Sequence, residues 1–252
     1  MKVQDMLKIT PLYLLFFLFC GQINAQIMLP AYQGVFSRKT NIGGGIIADG
    51  LILNLDAGKT ASYAGTGTTW NDISGNNNNG TLNGAVFTTM NGVSYFNFSN
   101  TYVNTSITKS NAMTFSVWAK TSSPSNCMLF NAGNPGAGPD LFFYNGALFW
   151  NTWDSGGNPF TVSTSTINAN WHNYTVVNDA SSNAKLYFDG VLVGTATYKS
   201  STYTTNLYIG GAGPADSWYW NGGIASFQAY NRALISSEVL QNYNAIKGRY
   251  GS

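Results

Sequence analysis

Apolar and polar residues alternate through most of this chain with a period of two. In Met113–Ala119, Met113, Phe115 and Val117 fall on one side, and Thr114, Ser116 and Trp118 fall on the other. That alternation predicts a strand with one face in a core. Leu186 and Phe188 oppose Lys185 and Tyr187 in the same way. Further strands are predicted at Leu51–Asp56, Ser94–Phe98, Cys127–Asn131, Leu141–Tyr144, Ala147–Trp150, His172–Val177, Ala184–Phe188, Val191–Ala196, Asn206–Ile209 and Ile224–Tyr230. Two turns are legible between them. Asn145-Gly146 and Asp189-Gly190 are residue pairs that tolerate positive φ, as a type I′ hairpin demands. Ala57–Thr69 reads as turn-rich, and Trp70–Asn83 as an Asn/Gly loop.

One segment departs from this period. Ser236–Ala245 places Val239, Leu240 and Tyr243 at helical spacing, with Glu238 in the first turn, where a carboxylate suits the helix dipole. The expected fold class is therefore all-β: an antiparallel β-sandwich closed by one short C-terminal helix.

Composition supports a packed domain. The chain has 252 residues, 15% aromatic and only 9% charged, with a net charge of +2. The aromatic and aliphatic content is enough to offset chain entropy. No Lys/Arg cluster is present, so nucleic acid has no electrostatic support as a partner.

The first residues read as a secretory leader: Lys2 and Lys8, an apolar stretch from Pro11 to Cys20, and a small residue, Ala25, before Gln26. The apolar run, about ten residues, is too short to span a bilayer. Phe19 stands before Cys20, where a lipoprotein acceptor prefers a small residue. The expected organisation is a leader at 1–25, a Gly-rich lead-in at 26–49 and one β domain at 50–248. The expected location is secreted or at the cell surface, with no membrane span once the leader is removed. Without the leader Cys127 is the sole cysteine, so no internal disulfide can form and the core must hold the fold.

Several segments resemble the laminin-G-like, concanavalin A-like lectin/glucanase jelly-roll family. They are Asp72-Ile73-Ser74-Gly75-Asn76-Asn77-Asn78-Asn79-Gly80-Thr81-Leu82, Phe115-Ser116-Val117-Trp118, Trp171-His172 through Asp189-Gly190, Leu207-Tyr208-Ile209-Gly210-Gly211, and Tyr230-Asn231-Arg232-Ala233-Leu234. The resemblance covers roughly residues 50–248 and implies a jelly roll. Two positions depart from the family. The strand after Gly222-Gly223 reads Ile224-Ala225-Ser226-Phe227, without the usual acidic residue. Ile235 also stands where a serine usually opens the helix, which shifts the expected cap by one residue.

Chemistry is sparse. Glycoside hydrolysis needs two carboxyl groups across the scissile bond, and the Glu-x-Asp-x-x-Glu strand of laminarinase-like members is absent. Glu238 is the only glutamate and His172 the only histidine, and His172 is expected to be structural. Nucleophilic catalysis and a His/Cys zinc site both lack their residues. The chain is therefore expected not to be an enzyme. Asp72, Ser74, Asn76 and Asn78 alternate in one loop and could converge on calcium, although an Asn/Gly turn capped by its own side chains explains the same pattern.

Glycan recognition uses exposed aromatic faces together with amides and carboxylates. Two clusters fit: Trp150, Trp153 and Asp154 in one, and Asp216, Trp218 and Tyr219 in the other. The expected function is a secreted, non-catalytic binding or adhesion module for a glycan or cell-surface polysaccharide. The alternative is a structural surface protein, of a virion or an extracellular assembly, that contacts other protein subunits. Asn79, Asn97, Asn104 and Asn173 lie in Asn-x-Ser/Thr sequons, which matter only in a glycosylating host.

Overall fold

A computed structural model describes residues 44–121, 125–133, 139–153, 159–164, 168–197, 206–214 and 217–251, the side chains of 152–167 excepted. The expected leader at 1–25 lies outside the described residues. The described chain forms two eight-stranded antiparallel sheets. Its strands are β1 (Leu51–Asp56), β2 (Thr69–Trp70), β3 (Gly80–Asn83), β4 (Val86–Met90), β5 (Val93–Phe98), β6 (Tyr102–Ser106), β7 (Met113–Lys120) and β8 (Cys127–Asn131). They continue with β9 (Asp140–Tyr144), β10 (Ala147–Trp153), β11 (Pro159–Thr164), β12 (His172–Asn178), β13 (Asn183–Phe188), β14 (Val191–Thr197), β15 (Asn206–Ile209) and β16 (Gly222–Tyr230).

Sheet A runs β14-β13-β12-β7-β16-β5-β4, with β1 also paired to β16, and sheet B runs β11-β10-β9-β8-β15-β6-β3-β2. The two sheets enclose one main core as a jelly-roll sandwich. Phe115 on β7 meets Phe130 on β8 at 5.2 Å between ring centroids, and Phe227 on β16 at 6.3 Å. Met113, Phe115 and Val117 all point into this core, as their alternation predicts.

Both anticipated hairpins form with positive φ at each central residue: Asn145 (48°) and Gly146 (78°), Asp189 (50°) and Gly190 (77°). Gly190 is required twice over. A Cβ there would also stand 3.1 Å from the Tyr243 ring.

The sequence reading missed five strands: β2, β3, β4, β6 and β11. Trp70 and Gly80–Asn83, read as loop, pair instead as β2 and β3 on the rim of sheet B. These segments are short, rich in Thr and Asn, and lie at or near sheet edges. Their hydrogen bonds come from a neighbouring strand and not from local propensity. In β6 the inward set is Val103 and Thr105, and the Thr105 hydroxyl donates to Asn78 O at 2.8 Å.

The helix, α1 (Ser236–Ile246), has Ile235 at its N-cap, so the cap does not shift to serine. The Glu238 carboxylate does the capping, accepting the Ile235 N–H at 2.9 Å. Ser236 instead shares a 3.0 Å hydrogen bond with Tyr187 Oη. Arg232 grips the same Glu238 with two bonds, at 2.7 and 2.9 Å, and so ties β16 to the helix.

Ordered packing begins before residue 50. Ile47 is buried, its N–H donates to Asn242 Oδ1 at 2.7 Å, and its carbonyl accepts from Tyr230 Oη at 3.1 Å. At the other end, Arg249 holds the buried carboxylate of Asp56 with two 2.7 Å hydrogen bonds. Arg249→Met leaves that carboxylate buried without its cation. We expect a loss of about 2–4 kcal/mol in urea unfolding, against an unchanged midpoint if the pair contributes nothing.

Lys109 donates to the carbonyls of Ala132 and Asn206, and burial lowers its pKa from 10.5 to about 7. The unfolded chain holds this proton to higher pH than the folded one. Between about 7 and 10 the unfolded state therefore binds more protons, and stability rises with pH. The stability of wild type relative to Lys109→Met should climb across that window, as read from urea midpoints. Parallel profiles would contradict the burial of this ammonium.

Candidate functional site

The two faces of sheet A and sheet B that point away from the main core differ. On sheet A that face is covered. Trp118 stacks against Tyr250 at 4.1 Å and Tyr243 at 5.6 Å, both from the C-terminal segment. On sheet B an aromatic surface remains partly open.

Strand alternation builds that surface. Leu141 and Phe143 of β9, and Leu148 and Trp150 of β10, point into the core. Phe142, Tyr144 and Phe149 therefore point outward. Cross-strand register sets Phe149 beside Phe142, and the rings stack at 5.5 Å and 14°. Segment 217–220 then docks on β8. Met128 donates its N–H to Trp218 O at 3.0 Å, and Tyr219 bridges to Met128. Docking sets the Trp218 ring edge-on to Phe142 at 5.6 Å and parallel to Tyr144 at 5.9 Å and 5°. Tyr144 is 44% exposed, while Phe142, Phe149 and Trp218 are half-buried.

The surface continues past Trp218. The Tyr219 ring lies over Gly211, where a Cβ would come within 2.9 Å of it, and its hydroxyl donates to Gly213 O at 3.2 Å. Tyr208 and Tyr102 follow, 5.9 Å apart. An aromatic strip thus crosses β10, β9, β8, β15 and β6.

The expected ligand residues divide on this frame. Trp218 and Tyr219 both belong to the strip. Trp150 does not. It is 1% exposed, packs against Phe130 at 5.8 Å, and donates its indole N–H to Asn178 Oδ1 at 3.2 Å. A ring enclosed on both faces has none left for a ligand. Trp153 ends β10 opposite Pro159, but its side chain lies outside the described side chains. Asp154 and Asp216 lie outside the described residues. Sequence reasoning missed Phe142, Tyr144 and Phe149. The usable signal was aromatic residues on both faces of β9 and β10, more than a single core face needs.

The loop at Asp72 is stitched to itself and to β1. Asp72 Oδ1 accepts from the N–H groups of Asn54 (2.8 Å) and Ser74 (2.9 Å), and Oδ2 accepts from Ser74 Oγ (2.8 Å) and Asn78 N (3.0 Å). Asn76 and Asn78 donate their amides to the carbonyls of Leu51 and Ile52. Donors already fill the only carboxylate of this set, so the residues do not fit calcium: a cation would have to displace all four. The arrangement is the self-capped turn. Asp72→Ala should cost about 2–4 kcal/mol in stability, and wild type should melt at the same temperature in millimolar calcium and in chelator. A calcium-dependent rise in Tm would reverse this assignment.

Each described carboxylate has a partner. Asp49 and Glu238 engage Arg232, Asp56 engages Arg249, Asp140 accepts from Asn131, Asp179 accepts from Asn183, and Asp189 engages His172. Among the described residues no group of three or more His, Cys, Asp or Glu side chains is placed to hold a metal. Cys127 is buried in the core, and burial pushes its thiol up to about 12, which removes it as a nucleophile at neutral pH.

A cavity of about 540 Å³ opens on sheet A beside the C-terminal segment, with Trp171, Lys120, His172 and Asp189 in its wall. His172 shares a 2.7 Å contact with Asp189 through Nδ1 and a 3.0 Å contact with Asn168 Oδ1 through Nε2. Asp189 is the one carboxylate lining this cavity among the described residues, and two would be needed to cleave a glycosidic bond.

Comparison with known proteins agrees with this architecture. The family model described as the concanavalin A-like lectin/glucanases superfamily matches residues 90–240, more than half of the chain. No curated protein matches the chain in sequence. Among solved structures, the botulinum neurotoxin serotype D binding domain superposes with a TM-score of 0.62 at 17% identity, covering 78% of this chain and 52% of that one. A binding domain of botulinum neurotoxin DC in complex with SialylT gives 0.64 at 14% identity, covering 79% and 52%. The same kind of domain in complex with rat synaptotagmin II gives 0.61 at 14% identity, also covering 79% and 52%. This chain spans about half the length of each, and identities this low establish a shared fold alone.

Proposed function

The chain belongs to the concanavalin A-like lectin/glucanases superfamily, and on that premise we propose that it is a secreted, non-catalytic binding module that recognises a glycan on the outer face of sheet B. The observation that carries this reading is the partly exposed aromatic strip of Phe149, Phe142, Trp218 and Tyr144. The C–H faces of pyranose rings stack on such rings, and the strip's length offers successive sugars successive platforms. Its rigidity helps. Three of the four rings stand on paired strands, so little side-chain freedom is lost on binding.

The partnered carboxylates, and the single acidic residue that lines the sheet A cavity among the described residues, support recognition over hydrolysis. The solved neighbours are themselves named as binding domains, which is compatible with the same broad role. The leader-like segment 1–25 is the basis for placing the module outside the cell. Among the described residues no helix is long and apolar enough to cross a membrane.

A second reading has one specific observation behind it. Val191, Leu192 and Val193 are 63%, 46% and 37% exposed on β14, the end strand of sheet A, a surface suited to contact with another subunit.

Glycan-array screening of the secreted chain, followed by calorimetry on the best hit, tests the proposal. Tyr144→Ala and Trp218→Ala should each weaken binding at least tenfold, about 1.4 kcal/mol, while melting close to wild type. Binding that survives both substitutions would remove the strip from the site. An empty array together with an oligomer that Val191→Lys dissociates would favour the subunit-contact reading.

A further inference from the structure

We propose that the cavity on sheet A is a second ligand site, specific for saccharides that carry a carboxylate. It lies on the opposite sheet from the aromatic strip and does not depend on the reading of that strip.

Lys120 is the last residue of β7. Its ammonium sits 4.5 Å from the Tyr95 ring centroid and 5.0 Å from that of Trp171. It is half-buried, and no hydrogen-bond acceptor reaches it among the described residues. A cation held against two rings, with its polar end unsatisfied and open to a cavity, is ready for an anion.

The fold builds this position deliberately. Lys120 pairs with Gly223 of β16, and a Cβ on Gly223 would come within 2.9 Å of both the Trp171 and Tyr95 rings. Glycine there lets the Tyr95 ring of β5 and the Trp171 ring, just before β12, come close to the lysine. Tyr95 and Trp171 meet edge to face at 5.2 Å, and Trp171 reaches Tyr250 at 5.5 Å.

The other charged groups on the wall already have partners. Arg249 is bound by Asp56. Asp189 is held by His172 and by the N–H of Asn173 at 2.8 Å. Among the described residues Lys120 is therefore the lining cation with no anion at hydrogen-bond distance, and its end of the cavity favours an anionic group.

The remaining lining narrows the class. Trp171 supplies an apolar ring, and the exposed amides of Asn91 and Asn170 supply donors and acceptors for hydroxyl groups. A volume of about 540 Å³ is large for a bare inorganic ion and suits one to three sugar rings. Cation, aromatic ring and neutral amides together match an acidic sugar better than a phosphate alone.

The test uses the whole chain without its leader and two panels of probes: oligosaccharides containing uronate or another carboxylated sugar, and neutral oligosaccharides of the same linkage. Calorimetry should show at least one acidic oligosaccharide binding tenfold or more above its neutral counterpart, with affinity falling as salt rises. Lys120→Met keeps the stem against the rings and removes the charge. It should abolish that preference while melting near wild type and leaving neutral-glycan binding unchanged. Tyr144→Ala, on the other sheet, should leave acidic-glycan binding intact.

The proposal is overturned if no carboxylated probe binds above its neutral counterpart, if Lys120→Met binds like wild type, or if inorganic phosphate competes at the same concentration as the saccharide. Loss of acidic binding in Tyr144→Ala but not in Lys120→Met would assign the anion preference to the strip instead.

Discussion

Trp118 faces away from the main core and is fully buried only because Tyr250 and Tyr243 stack on it. Most of the molecule's asymmetry depends on this contact. It holds the C-terminal segment on sheet A, brings Arg249 to the Asp56 carboxylate at the end of β1, and forms one wall of the cavity beside Trp171. A helix segment that covers one sheet cannot cover the other. Among the described residues sheet B therefore keeps a partly exposed aromatic face. Both candidate surfaces follow from where the C-terminal segment docks.

The same economy governs the charges. With only 9% charged residues, the chain uses its described carboxylates as fasteners. Glu238 closes the N-terminus of α1 and anchors Arg232, and Asp72 gathers four donors in place of a cation. Groups committed in this way are poor acids, bases or metal ligands, since any such role would break the bond that holds the fold.

How much of this was legible depended on how local the signal was. The Asn145-Gly146 and Asp189-Gly190 hairpins could be read directly, because positive φ is a property of those residues alone. The two-sided burial of β7 was half legible: the alternation was plain, but the face carrying Trp118 is covered by a segment far along the chain. Strands β4 and β6 were not legible, because their Thr- and Asn-rich sequences pair only through neighbours on the sheet. Trp150 shows the same limit within the site. Its neighbours looked like a binding loop, yet strand parity turns Trp150 inward and Phe149 outward.

The amino-acid sequence by itself determined the fold class, the principal hairpins, the helix, and the shortage of catalytic carboxylates. Each of these rests on short-range periodicity, on turn chemistry or on counting. Only the tertiary structure decided which aromatic residues are core and which are surface, that Asp72 serves its own loop, and that the Lys120 ammonium stands over two rings. These depend on the register between strands distant in sequence and on where the C-terminal segment settles. A shift of one residue in either would exchange the inner and outer faces.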